Sequence, residues 1–143
     1  MLCQLDVYLA SLYEPQDNHI LDEQALFAPE VTFLVAADDQ HIVGCGALRR
    51  MPAEAHTQQR PYGEVKRMMV NPRLRGQRIG ARLLQALEAL LRADRIELAL
   101  LETGARQTEA VRLYERNGYR RRATFGGYPA NGLSVFYEKS LSQ

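Results

Sequence analysis

A mixed α/β fold, its twisted sheet mostly antiparallel and flanked by helices, is predicted by three features of the chain. Two β-rich segments, 31–36 and 42–48, are separated by Asp38-Asp39-Gln40 and predict a hairpin. A strand at 64–70, a basic glycine turn, a leucine-striped helix and a strand at 96–101 follow in the order of a βαβ crossover. A second hairpin is predicted around Gly126-Gly127-Tyr128-Pro129-Ala130-Asn131-Gly132. The 143 residues, 46% hydrophobic and 24% charged, suit one globular domain spanning 1–143. A chain of that size holds a core without disulfides or metal.

Each element has a local reason. Leu5, Tyr8, Leu9 and Leu12 recur at helical spacing, so a short first helix is expected at 5–13, ended by Pro15. Residues 21–27 add a turn or two before Pro29. Residues 51–63 contain two prolines, a glycine and several polar side chains, and are expected to be a connecting loop. In the strand 64–70, simple alternation puts Glu64, Lys66, Met68 and Val70 on one face and Val65, Arg67 and Met69 on the other. Asn71-Pro72 end that strand. The next helix carries Ile79, Leu83, Leu84, Leu87, Leu90 and Leu91 on one stripe. Ile96, Leu98, Ala99, Leu100 and Leu101 predict a central strand buried on both faces. Ala110, Val111, Leu113 and Tyr114 give a last short helix, with Gly118 at its left-handed cap. Strands at 119–125 and 133–139 form the final hairpin.

No apolar run approaches the roughly 20 residues needed to span a bilayer, and the start has no basic flank, so a cytosolic protein is expected. Cys3 and Cys45 read as free thiols. His19, His41 and His56 are too scattered to suggest a metal site. The net charge of +1 conceals an asymmetry. Residues 1–48 hold eight Asp or Glu and no Lys or Arg, whereas 49–82 hold nine basic residues and two acidic ones. Sixteen of the eighteen basic residues are Arg, whose fork suits phosphate oxygens, so the middle of the chain suggests either an anionic ligand or an ordinary solvated Arg-rich surface.

One constellation would localise such a ligand. Val70-Asn71-Pro72-Arg73-Leu74-Arg75-Gly76-Gln77-Arg78-Ile79-Gly80-Ala81 leaves a strand and opens the leucine-striped helix. Free amides and the positive dipole end at a helix start attract phosphate, and Gly76 and Gly80 let backbone approach closely. Neither a Walker loop nor a dinucleotide fingerprint is present. By itself the segment fits a plain strand-to-helix connection equally well. A second constellation follows some 30 residues later, Gln107-Thr-Glu-Ala110-Val-Arg-Leu113-Tyr114-Glu-Arg-Asn-Gly118-Tyr119.

Taken with Glu64-Val-Lys-Arg-Met-Met-Val70, these segments resemble the GNAT superfamily of acyl-CoA-dependent N-acyltransferases, over roughly residues 30–138. Phe33-Leu-Val-Ala, Gly44-Cys-Gly-Ala-Leu, Leu101-Glu-Thr-Gly and Leu133-Ser-Val-Phe are similar to a bacterial subgroup of small acetyltransferases with mostly undefined acceptors. The resemblance implies two central strands, 64–70 and 96–101, splayed around acetyl-CoA. It implies that main-chain groups of Met68, Met69 and Val70 bond to the pantetheine arm, and that amides of Arg75, Gly76, Gln77, Arg78, Ile79, Gly80 and Ala81 hold the pyrophosphate. Gln107 stands where the family has an Asn that contacts the cofactor, and Tyr114 where it has the tyrosine that protonates the departing thiolate. Homodimers are common in the family. Arg78 occupies a commonly glycine position, Gln107 is one methylene longer than Asn, and the family's first strand is missing, truncated or supplied by a partner.

The chemistry implied is transfer of an acetyl group from acetyl-CoA to a primary amine by direct attack in a ternary complex. An alkyl ammonium has a pKa of about 10, so a base must take its proton, and Glu64 is the candidate, acting directly or through water. Its competing role is an ion-pair partner for Lys66 or Arg67. Tyr114 is the candidate general acid, its competing role a core aromatic. Cys45 has no His, Lys or helix start beside it to activate it, so it is expected to be a packed thiol. Arg120-Arg121-Arg122 lacks interleaved aromatics and reads as a solvated strand end, so nucleic-acid binding is not expected. The rival from another class is a CoA-binding regulatory or sensing module without turnover.

Overall fold

Residues 28–39, 41–74 and 76–142 are described by the computed structural model of the chain. The helices expected at 5–13 and 21–27, and the matter of a strand before them, fall outside these residues. Among the described residues six strands form one open sheet in the order β1-β2-β3-β4-β6-β5. They are β1 (Val31–Asp38), β2 (His41–Glu54), β3 (Arg60–Val70), β4 (Leu98–Gly104), β5 (Arg120–Arg122) and β6 (Ser134–Ser140). Every adjacent pair is antiparallel except β3 and β4. That parallel pair is joined through α1 (Ile79–Ala93), the crossover the leucine stripe predicts. Helix α2 (Thr108–Arg116) follows β4, and its chain reverses at Gly118, whose φ of 91° is the left-handed cap expected there.

Each face of the sheet has its own core. Leu84, Leu87 and Leu91 of α1 are fully buried against Leu48, Val65, Ala99 and Leu101, with Tyr114, Tyr119 and Tyr137 at the α2 end. Each fully buried leucine contributes about 1.5–3 kcal/mol of apolar transfer. On the other face Tyr62, Leu98, Leu100, Phe125 and Phe136 cluster, with Tyr128 packed against them. Leu98, Ala99, Leu100 and Leu101 are all buried, as a central strand requires.

Two expectations are corrected. Residues 51–63 are not a loop: β2 runs to Glu54, a 3₁₀ turn covers Ala55–Thr57, and β3 begins at Arg60. Pro52 falls where the register shifts between Met51 and Glu54, so its missing N–H interrupts no regular ladder. The buried Thr57 hydroxyl closes the turn, donating toward the Glu54 and Arg60 carbonyls at 3.0 and 2.7 Å. The simple alternation along 64–70 also fails. Cys45 pairs with Met69 but Ala47 with Lys66, so Arg67 and Met68 together face the single residue Gly46, and Arg67 has a φ of 54°. This bulge moves Met68 and Val70 onto the α1 face with Val65. Gly46 makes room for it, since a Cβ there would stand 2.6 Å from the Met68 sulfur.

Candidate active site

The parallel pairing of β3 with β4 covers only Gly63↔Ala99, Glu64↔Leu100 and Val65↔Leu101. Residues 66–70 of β3 and 102–104 of β4 run on past the last pair, so the two central strands part at their C-terminal ends. Beside this gap lies a cleft of about 1090 Å³ between β3, the start of α1 and helix α2. Ligands of open α/β sheets bind at such carboxyl ends.

Most of the residues singled out in the sequence meet here. Met68, Met69, Val70, Gly76, Arg78, Ile79, Gly80, Ala81, Gln107 and Tyr114 all line the cleft. Gln77 instead borders an adjoining depression with Arg82 and Gln85, and Arg75 is outside the described residues. The entry to α1 is built for close approach. Gly76 has a φ of 89° with open space where a side chain would stand, and Arg78, just before α1, has φ 62° and ψ 24°. That left-handed geometry is the one glycine adopts freely; here an arginine holds it, and Arg78 is part of the cleft lining. Gly80 sets the floor, where a Cβ would touch Leu113 of α2. The first amides of α1 lack intrahelical partners and are available to an anion.

Tyr114 is 6% exposed, its ring edge-on to Tyr119 with centroids 5.9 Å apart and tilted to Tyr137 at 6.4 Å. It is therefore a core aromatic, the competing role weighed for it, and it also lines the cleft. Gln107, at the N-terminal boundary of α2, packs its side chain over Gly104, where a Cβ would lie 3.3 Å from the Gln107 amide nitrogen.

Sequence reasoning passed over Arg106 and Arg116, which also line the cleft, one just before α2 and one at its last turn. A signal was available: both flank the helix that carries Gln107 and Tyr114, and together with Arg78 they put three arginines on the lining of one cavity.

Glu64 lies elsewhere. It is absent from the cleft lining and 4% exposed, on the sheet face opposite α1, beside the Tyr62–Phe125–Phe136 cluster. Lys66 Nζ approaches Glu64 Oε2 at 3.2 Å, so the ion pair weighed as its alternative is present, buried rather than at the surface. The same oxygen accepts the Tyr128 hydroxyl at 2.5 Å, and Lys66 Nζ donates to Tyr128 Oη at 2.7 Å. Nearby, Ser134 Oγ donates to Glu102 Oε2 at 2.5 Å.

Cys45 is wholly buried and its Sγ donates to the Arg67 carbonyl at 3.2 Å. Burial pushes the thiol up to about 12, outweighing the opposing pull of Arg67, so at neutral pH it is not a nucleophile. The arginine triplet is strand β5; Arg121 stands over the Tyr137 ring and Arg122 over Phe125, so these side chains cap aromatic surface.

Residues 4–119 match the acetyltransferase (GNAT) family. The chain is 44% identical to an IAA acetyltransferase of Azospirillum brasilense over 138 residues, 96% of this chain and 86% of that one. Among solved structures, a Klebsiella pneumoniae protein described as an acyl-CoA N-acyltransferase superposes with a TM-score of 0.71 at 37% identity, covering 99% of this chain and 87% of its own. The PaiA N-acetyltransferase of Thermoplasma acidophilum, solved with coenzyme A, shares the fold at a TM-score of 0.62 and 22% identity, over 78% of this chain and 61% of its own.

Proposed function

The chain belongs to the GNAT family of acetyltransferases and transfers an acetyl group from acetyl-CoA to an amine; from that premise we propose how its residues divide the work. The parting of β3 from β4 beside a cleft whose lining includes Arg78, Arg106 and Arg116 is the observation that carries the reading. The pyrophosphate lies on the amides of residues 76–81 at the start of α1, with Arg78, Arg106 and Arg116 supplying charge. The pantetheine arm runs along Met68, Met69 and Val70, whose main chain bonds to it as an added strand would. Gln107 contacts the arm from the other wall.

The thioester then emerges where the strands part, and the amine attacks it directly from the opposite sheet face, with no acyl-enzyme. Tyr114 gives a proton to the departing thiolate, and Glu64 takes one from the incoming ammonium. Main-chain amides at the gap polarise the thioester oxygen. The relatives' names speak for turnover rather than sensing. The same reading has the enzyme working in the cytoplasm on a primary amine, as a homodimer as is common in the family.

The test is release of free thiol from acetyl-CoA across a panel of alkylamines, amino acids and polyamines. Thiol release that depends on both the protein and one acceptor class supports the reading. Saturable CoA binding without turnover of any amine would favour the sensing module.

A further inference from the structure

Glu64 holds a doubly hydrogen-bonded carboxylate oxygen on the sheet face opposite α1. It is 4% exposed, and its carboxylate oxygen Oε2 is closed off by Lys66 and Tyr128, which also bond to each other. Both are half-buried, and of the two Tyr128 is the one that comes from outside β3. It belongs to the segment between β5 and β6. Its ring packs on Phe125 and Phe136 at 5.4 and 5.9 Å between centroids. Phe136 pairs with Glu102, the first β4 residue past the last β3 partner, so Tyr128 stands over the place where the central strands part.

From this geometry we infer that Tyr128 is a further catalytic residue, the one that receives the acceptor's proton and passes its own to Glu64. The inference rests on the reading of Glu64 as the base. An N–H bond of the substrate ammonium breaks, its proton going to a lone pair on Tyr128 Oη. In the same shift the Tyr128 O–H proton moves to Glu64 Oε2. The amine keeps the electron pair with which it attacks, Tyr128 ends as a neutral phenol, and Glu64 ends as a carboxylic acid.

The surroundings suit this. Burial, then the Glu64 and Glu102 carboxylates, hold the Tyr128 phenol well above its ordinary range, so it serves as a neutral relay and is not itself stored as phenolate. The charged and titratable groups around the pair are Lys66 and Tyr62 of β3, Arg49 of β2 as the cross-strand partner of Glu64, and Glu102 of β4. Lys66, donating to both oxygens, keeps the triangle closed.

The experiment compares kcat/KM for wild type, Tyr128→Phe, Glu64→Gln and the double variant across pH. Methylamine serves as an acceptor that is ammonium at neutral pH, and hydroxylamine as one already neutral there. Both single variants should lose about 10²-fold with methylamine at neutral pH, and the loss should shrink toward pH of about 10. With hydroxylamine the losses at neutral pH should be several-fold smaller than with methylamine, and circular dichroism with thermal melts checks that both variants fold. The double variant should be no worse than the poorer single one, as for two members of one path. A wild-type profile for Tyr128→Phe beside a pH-dependent loss in Glu64→Gln overturns the relay and leaves the base reading intact. A wild-type profile for Glu64→Gln overturns both. Equal losses with both acceptors at every pH reduce Tyr128 to a packing role and overturn the proposal.

Discussion

Gly80 at the start of α1 and Leu113 of α2 meet so closely that a Cβ on the glycine would lie 3.0 Å from Leu113 Cδ2 and 3.2 Å from Cδ1. This contact sets how near the two helices approach under the cleft. Gly80→Asp places a carboxylate there, beside the amides assigned to pyrophosphate. Calorimetric affinity for CoA should fall at least about tenfold, or roughly 1.4 kcal/mol. An undiminished affinity would move the phosphate site elsewhere.

Arg78 should report a trade between backbone strain and charge. Its φ of 62° is costly for a residue with a Cβ, by about 1–2 kcal/mol, and Arg78→Gly removes that strain together with a cleft cation. We expect the melting temperature to hold or rise while CoA affinity drops and its salt dependence weakens.

Tyr114→Phe should lower kcat by about 10²-fold or more while leaving acetyl-CoA affinity nearly unchanged, since the ring and its contacts with Tyr119 and Tyr137 remain. The readouts are steady-state thiol release and calorimetry. A loss confined to affinity would make Tyr114 a wall of the cleft and nothing more.

Cys45→Ala should keep most of its activity, and the native protein's Cys45 should resist iodoacetamide until it is unfolded. The pH dependence has a definite sign. The folded thiol titrates at about 12 against 9.0 for an unperturbed thiol, so below pH 9 its contribution to stability is flat. Between 9 and about 12 the unfolded chain alone gains the thiolate, and stability falls. Urea melts of wild type and Cys45→Ala at pH 8 and pH 10 should diverge accordingly, wild type losing more.

Glu88 of α1 is 2% exposed, and it accepts the Tyr119 hydroxyl at 3.0 Å and Lys139 Nζ at 2.9 Å. Lys139→Met strands this carboxylate. The expected destabilisation in urea is about 3 kcal/mol, the low end for breaking a buried pair because Lys139 keeps some contact with water. Adding Glu88→Gln to Lys139→Met should recover much of it.

The elements legible in advance are those whose reasons are local. Apolar residues at helical spacing mark α1 because one stripe must face the sheet, and Gly118 marks the end of α2 because its φ of 91° disfavours any side chain. The ordered motifs also led to the cleft, since a strand, a glycine turn and a helix start are neighbours in sequence and remain neighbours in space. Where pairing partners had to be known, the reading failed. The prolines and polar residues of 51–63 resemble a loop until β2 and β3 are seen to pair through Met51↔Tyr62 and Glu54↔Arg60.

By itself, then, the sequence determined the mixed sheet, the crossover and the glycine turn that opens α1, because periodicity and turn chemistry act over a few residues. Only the tertiary structure decided that a bulge opposite Gly46 turns Met68 and Val70 toward α1. It also decided that Glu64 lies apart from the cleft, bonded to a tyrosine 64 positions away. A bulge leaves no mark in composition, and a hydrogen bond between such distant residues forms only once the sheet order brings β3 and the segment before β6 onto one face.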